Sequence, residues 1–322
     1  MKTRSFESMS NAEQNNLVNN RSRSERSQIT KQMTAFAQRV CSMLGGVFFV
    51  AILTLIGTPS AASAFTFTTI DIPGATLTNA IGINAHGQIV GAFTDAGGEF
   101  HGFLLDGGSF TVIDPPGVTG GTEAGGINEL GLIVGEFIDG SGQHGFLLDK
   151  GSFITIDVPG ATATLADTIN NRGQIVGFYD DGSGTEHGFL LDKGIFTTID
   201  VPGATLTQAF GINEPGQIVG RYVDAGGASH GFLLGPGTFT TIDVPGATFT
   251  AAFGINNRGQ ISGFYVDGSG TEHGFLLDKG IFTTIDVPGA MSTDALGINN
   301  RGQFVGVFAD AGGTFHGFLA TP

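Results

Sequence analysis

From Phe65 onward the chain is built of short β-branched and aromatic runs separated by Gly, Pro, Asn and Asp, and no stretch shows helical periodicity. Phe196-Thr-Thr-Ile-Asp-Val201 reads as a strand that stops at the turn signal Pro202-Gly203. Thr205-Leu-Thr-Gln-Ala-Phe-Gly-Ile-Asn213 follows, then Gln217-Ile-Val-Gly-Arg-Tyr-Val223, a Gly-rich loop, and His230-Gly-Phe-Leu-Leu234. Four strands are predicted in this unit. Strand faces carry the next clue. In Gln174-Ile-Val-Gly-Phe-Tyr179 one alternating set holds Ile175 and Tyr179 and the other Val176 and Phe178. A strand apolar on both faces is covered on both faces, which sheets packed face to face provide and a single solvated sheet does not.

The same unit recurs six times. The aspartate of Phe-Thr-Thr-Ile-Asp-x-Pro-Gly-Ala, or a close variant, stands at Asp71, Asp114, Asp157, Asp200, Asp243 and Asp286, 43 residues apart. The histidine of His-Gly-Phe keeps the same step from His101 to His316. A period of this size marks a solenoid, propeller or array. The reading is an all-β, six-bladed β-propeller of four-stranded antiparallel blades. Gly-Ile-Asn forms the innermost strand, Gln-Ile-Val-Gly the second, His-Gly-Phe the third and Phe-Thr-Thr-Ile-Asp the outermost. After the leader the chain begins on an outer strand and ends on a third strand. The N-terminal strand is therefore expected to complete the C-terminal blade and hide two edges. An open or stacked array is the alternative. Asn-x-x-Gly, as in Asn256-Asn-Arg-Gly259, separates inner from second strand as a tight turn. Only Asn213-Glu-Pro-Gly216 places Pro at the third turn position, which predicts a different turn type there.

Residues 1–64 are of another kind. A basic flank, the apolar run from Met43 to Gly57 and the exit Ala62-Ser63-Ala64 make a signal peptide, with cleavage expected after Ala64 and a retained anchor as the alternative. Residues 1–32 are long for such a lead and read as a mis-called start or a disordered extension, with residues 33–64 the working signal. The localisation expected is secreted, or periplasmic or cell-surface. Without the leader, 7 Lys and Arg oppose 26 Asp and Glu, a balance near −19 that argues against nucleic acid or anionic lipid as partner. No membrane span remains after cleavage. The only cysteine, Cys41, leaves with the leader, so stability must come from burial.

Candidate chemistry is sparse. Six histidines and six aspartates at fixed repeat positions read as a structural network in every blade, with no catalytic and no metal role expected. Asp180-Asp-Gly-Ser-Gly-Thr-Glu186 and Asp267-Gly-Ser-Gly-Thr-Glu272 weakly echo a calcium loop, but Ca²⁺ competes there with ordinary turn chemistry and no other cofactor is expected. Positions that break the repeat are more informative. The residue after the recurring Thr reads Asn79, Glu123, Leu165, Gln208, Ala251 and Asp294, while Asp167 and Thr168 replace the usual apolar residue and Gly. Asn79, Glu123, Asp167, Gln208 and Asp294 are the candidate ligand-binding groups, at the channel mouth; the alternative is drift at solvent-exposed positions.

Gly-Ile-Asn-x-x-Gly-Gln-Ile-Val-Gly, a Gly/Asp-rich loop and His-Gly-Phe-Leu, in phase over residues 66–320, resemble the bacterial extracellular HAF repeat, usually written with Ala where this chain has Gly102 and Gly145. The resemblance implies exported, propeller-like proteins with no established activity and supplies no catalytic residues. No nucleophile elbow, zincin, phosphate-loop or dinucleotide motif is present. The expected function is an extracellular binding, interaction or structural module, with carbohydrate or a cell-surface macromolecule as partner. The alternative is a polysaccharide hydrolase or lyase with Glu123 and Asp294 as a carboxylate pair.

Overall fold

The computed structural model describes residues 65–322; the leader and its cleavage site lie outside the described residues. The described chain is all-β, with 24 strands and no helix. They form six four-stranded antiparallel sheets, five of them up-and-down meanders of consecutive strands. In the first, the strands are Leu77–Ile83, Ile89–Thr94, Phe100–Asp106 and Ser109–Ile113, from inner to outer. One parallel bridge (Ala163 with Gln143, Ser229 with Phe249) joins the second sheet to the third and the fourth to the fifth. The sixth sheet holds Ser292–Ile298, Phe304–Ala309 and Phe315–Thr321, and its outer strand is Thr66–Ile70. The register runs from Thr66 opposite Thr321 to Ile70 opposite Gly317.

Packing explains the repeated residues. The Phe of every His-Gly-Phe (Phe103, Phe146, Phe189, Phe232, Phe275, Phe318) is fully buried. It meets an outer-strand Phe edge to face, as Phe103 meets Phe110 at 5.8 Å. Truncating such a ring costs about 3–5 kcal/mol. The second strand must carry Gly beneath it, because a Cβ at Gly91 would lie 1.9 Å from the Asn79 carbonyl and 2.9 Å from the Phe103 ring. Apolar clusters extend between sheets: Val90 of the first sheet packs with Ile113, Ala124, Ile127 and Phe146. Both strand faces are covered, as their composition requires.

Every inner strand also carries a bulge that its composition did not announce. The register slips at Ile81, Gly125, Asp167, Phe210, Phe253 and Leu296. The following residue is Gly in five blades, and its backbone lies against the bulge carbonyl next door. A Cβ on Gly211 would stand 2.4 Å from the Phe253 oxygen. Thr168, the exception, donates its hydroxyl to the Phe210 carbonyl at 2.7 Å.

One expectation about turns is corrected. At Asn213-Glu-Pro-Gly216 the backbone bonds match those of the other five turns: Gly216 N–H to Asn213 O, and Asn213 N–H to Gln217 O, both 3.1 Å. Pro215 only removes the N–H that donates to the Asn side chain elsewhere, as Arg172 does to Asn170 Oδ1 at 3.0 Å. The G1-bulge loop is held at four other points, so Pro is accommodated.

Candidate functional site

Inner and second strands place the repeat-breaking residues as cross-strand pairs. Asn79 faces Ala92, Glu123 faces Glu136, Leu165 faces Phe178, Gln208 faces Arg221, Ala251 faces Phe264 and Asp294 faces Val307. All lie at the end of the sheets where the outer strand crosses to the next inner strand.

The five candidates do not form one set. Glu123 and Asp167 belong to a carboxyl trio with Glu136, which pattern reading missed. Burial raises the Glu123 pKa to about 7. Burial, then the nearby Glu123 and Asp167 charges, pushes Glu136 well up, against one hydrogen bond from Gln143. Asp167 is raised by burial and by Glu123, and its Oδ2 is buried with no partner among the described residues. Like charges this close favour protons on some of them. A signal for Glu136 was available: its row, Ala92, Glu136, Phe178, Arg221, Phe264 and Val307, also breaks the repeat, with only Phe recurring.

Asp294 pairs instead with Glu272, on the third strand of the preceding blade. Burial, then Glu272, raises Asp294 well above the carboxylate range, and burial raises Glu272 to about 7. Asp294 is 6% exposed, and its Oδ1 has no partner among the described residues. Two blades back, the same positions are compensated. Gln208 donates to Glu186 at 2.6 Å and accepts from Arg221 Nε at 2.9 Å, and the guanidinium lies over Phe249 at 5.7 Å. Burial lowers Arg221 to about 10, with Glu186 opposing. Asn79 is half-buried and makes no side-chain hydrogen bond among the described residues.

The histidines form the expected structural network. In each blade Nδ1 lies 2.8–3.0 Å from the repeat aspartate, His316 taking Asp71 from the N-terminal strand. Each ring packs on a second-strand Phe or Tyr, as His187 on Tyr179 at 5.4 Å. A loop aspartate lies near Nε2 as well, Asp181 at 3.6 Å from His187. In the calcium-like loops Asp181 and Asp267 bind their own turns. The Ser183 hydroxyl, then the Thr185 and Ser183 N–H groups, hold Asp181 at about 2. Among the described residues, no group of three or more His, Cys, Asp or Glu is arranged to hold a metal ion. No described helix is long and apolar enough to cross a membrane.

The opposite end holds a feature that the turn motif concealed. Each turn asparagine, 2–4% exposed, donates Nδ2 to the main-chain oxygen of its counterpart in the next blade. The series runs Asn84, Asn128, Asn170, Asn213, Asn256, Asn299 and back to Asn84, at 3.0–3.2 Å throughout. A cavity of ≈ 90 Å³ is lined by these residues and by the isoleucines before them.

No family model and no curated protein matches the chain. Among solved structures it is similar to TolB from Acinetobacter baumannii, with 13% identity and a TM-score of 0.53 over 73% of this chain and 64% of that one. A mutant of AofleA from Arthrobotrys oligospora gives 11% identity and a TM-score of 0.51 over 81% and 88%. A fucose-recognising six-bladed β-propeller lectin from Aleuria aurantia gives 14% and 0.49 over 76% and 93%. At such identities a likeness speaks to fold alone; it is the six four-stranded antiparallel sheets, linked by asparagine bonds that return to Asn84, that have the geometry of a β-propeller.

Proposed function

We propose that the chain is a secreted, HAF-like, closed six-bladed β-propeller, cleaved after Ala64, that serves as an extracellular binding module for carbohydrate. One observation carries this reading. On a scaffold otherwise repeated blade by blade, the row Asn79, Glu123, Leu165, Gln208, Ala251, Asp294 differs at every blade and gathers polar groups at one end of the inner strands. Glu123 and Asn79 are half-buried there, and carboxyl oxygens such as those of Glu123 accept hydrogen bonds from sugar hydroxyls. A glycan array followed by calorimetry on the purified protein, with and without Ca²⁺, tests it. Alanine at Asn79, Glu123, Asp167, Gln208 and Asp294 together should abolish saturable binding at this end of the inner strands; unchanged binding to every ligand found would remove the reading.

A second reading is a polysaccharide hydrolase or lyase. Glu123, held near 7 by burial beside Glu136 and Asp167, is suited to donate a proton while a neighbour accepts one. Turnover of a polysaccharide that Glu123→Gln abolishes would establish this in place of simple binding.

A further inference from the structure

Around the turn-end cavity runs a second circle of bonds, one residue beyond the asparagine ring. The Glu129 carboxylate accepts the Ala85 N–H at 3.0 and 3.1 Å. Asn171 Oδ1 accepts Glu129 N–H at 2.9 Å, and Glu214 Oε1 accepts Asn171 N–H at 2.7 Å. Asn257 Oδ1 accepts from Glu214, and Asn300 Oδ1 from Asn257, each at 2.9 Å. The sixth bond is missing. The counterpart of the accepting residue in the first blade is Ala85, which has no side-chain oxygen, and no described residue accepts from Asn300 N–H.

Two complete interfaces show what fits. Between blades one and two, Glu129 is held by the Ala85 N–H and by His86 Nδ1 at 3.2 Å. Between blades three and four, Glu214 is held by the Asn171 N–H, with Arg172 Nε at 3.9 Å. In both, a carboxylate sits between a main-chain N–H and a basic side chain at the following turn position. Between blades six and one the N–H (Asn300) and the turn cation (Arg301) are present, and only the carboxylate is lacking. Arg301 is exposed and makes no ion pair among the described residues.

We infer that this gap is a carboxylate subsite, and that the cavity beside it takes the ring of a hexuronate. Asn299, Asn300, Ile298 and Ile83 are among the residues that line the cavity. The Asn171, Asn257 and Asn300 Nδ2 groups, unpaired among the described residues, are donors at its rim. The strong negative charge of the protein does not oppose an anion here. Six of the seven Lys and Arg beyond the leader (Lys150, Arg172, Lys193, Arg258, Lys279, Arg301) lie at this end, against six of the 26 carboxylates. The proposal rests on the carbohydrate reading only for the sugar scaffold; the carboxylate subsite stands on the missing bond.

Calorimetric titration of the full-length protein with sodium glucuronate, galacturonate, acetate and glucose tests it. Both uronates should bind, and glucose should neither bind nor compete. Arg301→Ala should weaken binding by about tenfold, the order of one charge-assisted hydrogen bond. Ala85→Glu, which supplies the missing carboxylate, should abolish it, and Ala85→Gln should reduce it. Acetate binding that Ala85→Glu removes, without uronate binding, overturns the sugar assignment. Uronate binding undiminished by Ala85→Glu or Arg301→Ala, or no carboxylate binding at all, overturns the subsite. Glycan binding left unchanged by alanine at the five loop-end residues would overturn only the earlier reading.

Discussion

The two ends of the inner strands solve opposite problems with the same six-fold frame. At the turn end, six buried asparagines repeat without exception and each of their side-chain polar atoms is bonded. Asn256, for instance, donates to Asn299 O and Gln260 Oε1 and accepts from Arg258 and Gln260. At the loop end the repeat lapses, and buried carboxyls stand near one another with oxygens unpartnered, as in Asp294. A buried polar group that is fully bonded specifies a structure; one left short stores unfavourable energy that a ligand or a proton can relieve. Stability should therefore reside in the first end and responsiveness in the second.

The largest effect should come from breaking the ring. Asn256→Ala removes four hydrogen bonds from a side chain 3% exposed and leaves two main-chain N–H groups without acceptors. The expected loss is about 3–4 kcal/mol in a denaturant-unfolding midpoint, from roughly 1 kcal/mol per bond with a further penalty for buried orphans. Asn257→Ala, one residue on, breaks only the exposed bond that its Oδ1 accepts from the Glu214 N–H and should cost about 0.5–1 kcal/mol. Equal effects would mean that the ring is incidental.

Next in size is the response of the loop end to pH. A carboxyl whose folded pKa lies above its unfolded value favours the folded state below the unfolded pKa, and that contribution is lost as pH rises through the folded one. For Glu123 and Glu272, raised from 4.5 to about 7, stability should fall between about pH 4.5 and 7. Each contributes on the order of 2–3 kcal/mol. His187 changes the slope in the same direction: burial lowers its pKa, but the Asp200 hydrogen bond and charge prevail and raise it, so its contribution is also lost at higher pH. Asp294→Asn should stabilise the protein at pH 7.5 and flatten the pH profile, whereas Gln208→Asn should do neither. A profile unchanged by Asp294→Asn would show that its environment is not the cause.

How much of this was legible follows from what repetition displays. Six copies of Phe-Thr-Thr-Ile-Asp and His-Gly-Phe made the strands, the sheets and the pairing of Thr66–Ile70 with Phe315–Thr321 readable, because an unpaired outer strand at one end and a missing one at the other are visible in the order of motifs. The histidine–aspartate pairs were readable for the same reason. The asparagine ring was not, since Asn-x-x-Gly is already explained by its own turn and nothing in one copy says that Nδ2 reaches the next blade. Glu136 and Glu272 escaped for a different reason. Each lies on a strand adjacent in space to the chosen row, so the grouping of charges depended on register and on blade-to-blade contact. The bulge that carries Asp167 likewise leaves no mark in an apolar alternation.

The smallest test compares two threonines that the repeat treats as equivalent. Thr207 Oγ1 accepts the Val201 N–H at 3.1 Å, and Thr78, Thr164, Thr250 and Thr293 do the same in their blades. In the second blade the residue at the donor position is Pro115, which has no N–H, and the Thr122 hydroxyl is buried without a partner among the described residues. Both threonines are 1% exposed, so burial does not distinguish them. Thr207→Val leaves a main-chain N–H unsatisfied and should cost about 1–2 kcal/mol, whereas Thr122→Val removes an idle hydroxyl and should be neutral or stabilising by up to about 1 kcal/mol. Equal costs measured by denaturant unfolding would show that the hydroxyl matters through packing. A difference of the stated sign would show that a departure from the repeat is felt only where it strands a polar group, which is the condition the carboxyls at the loop end also meet.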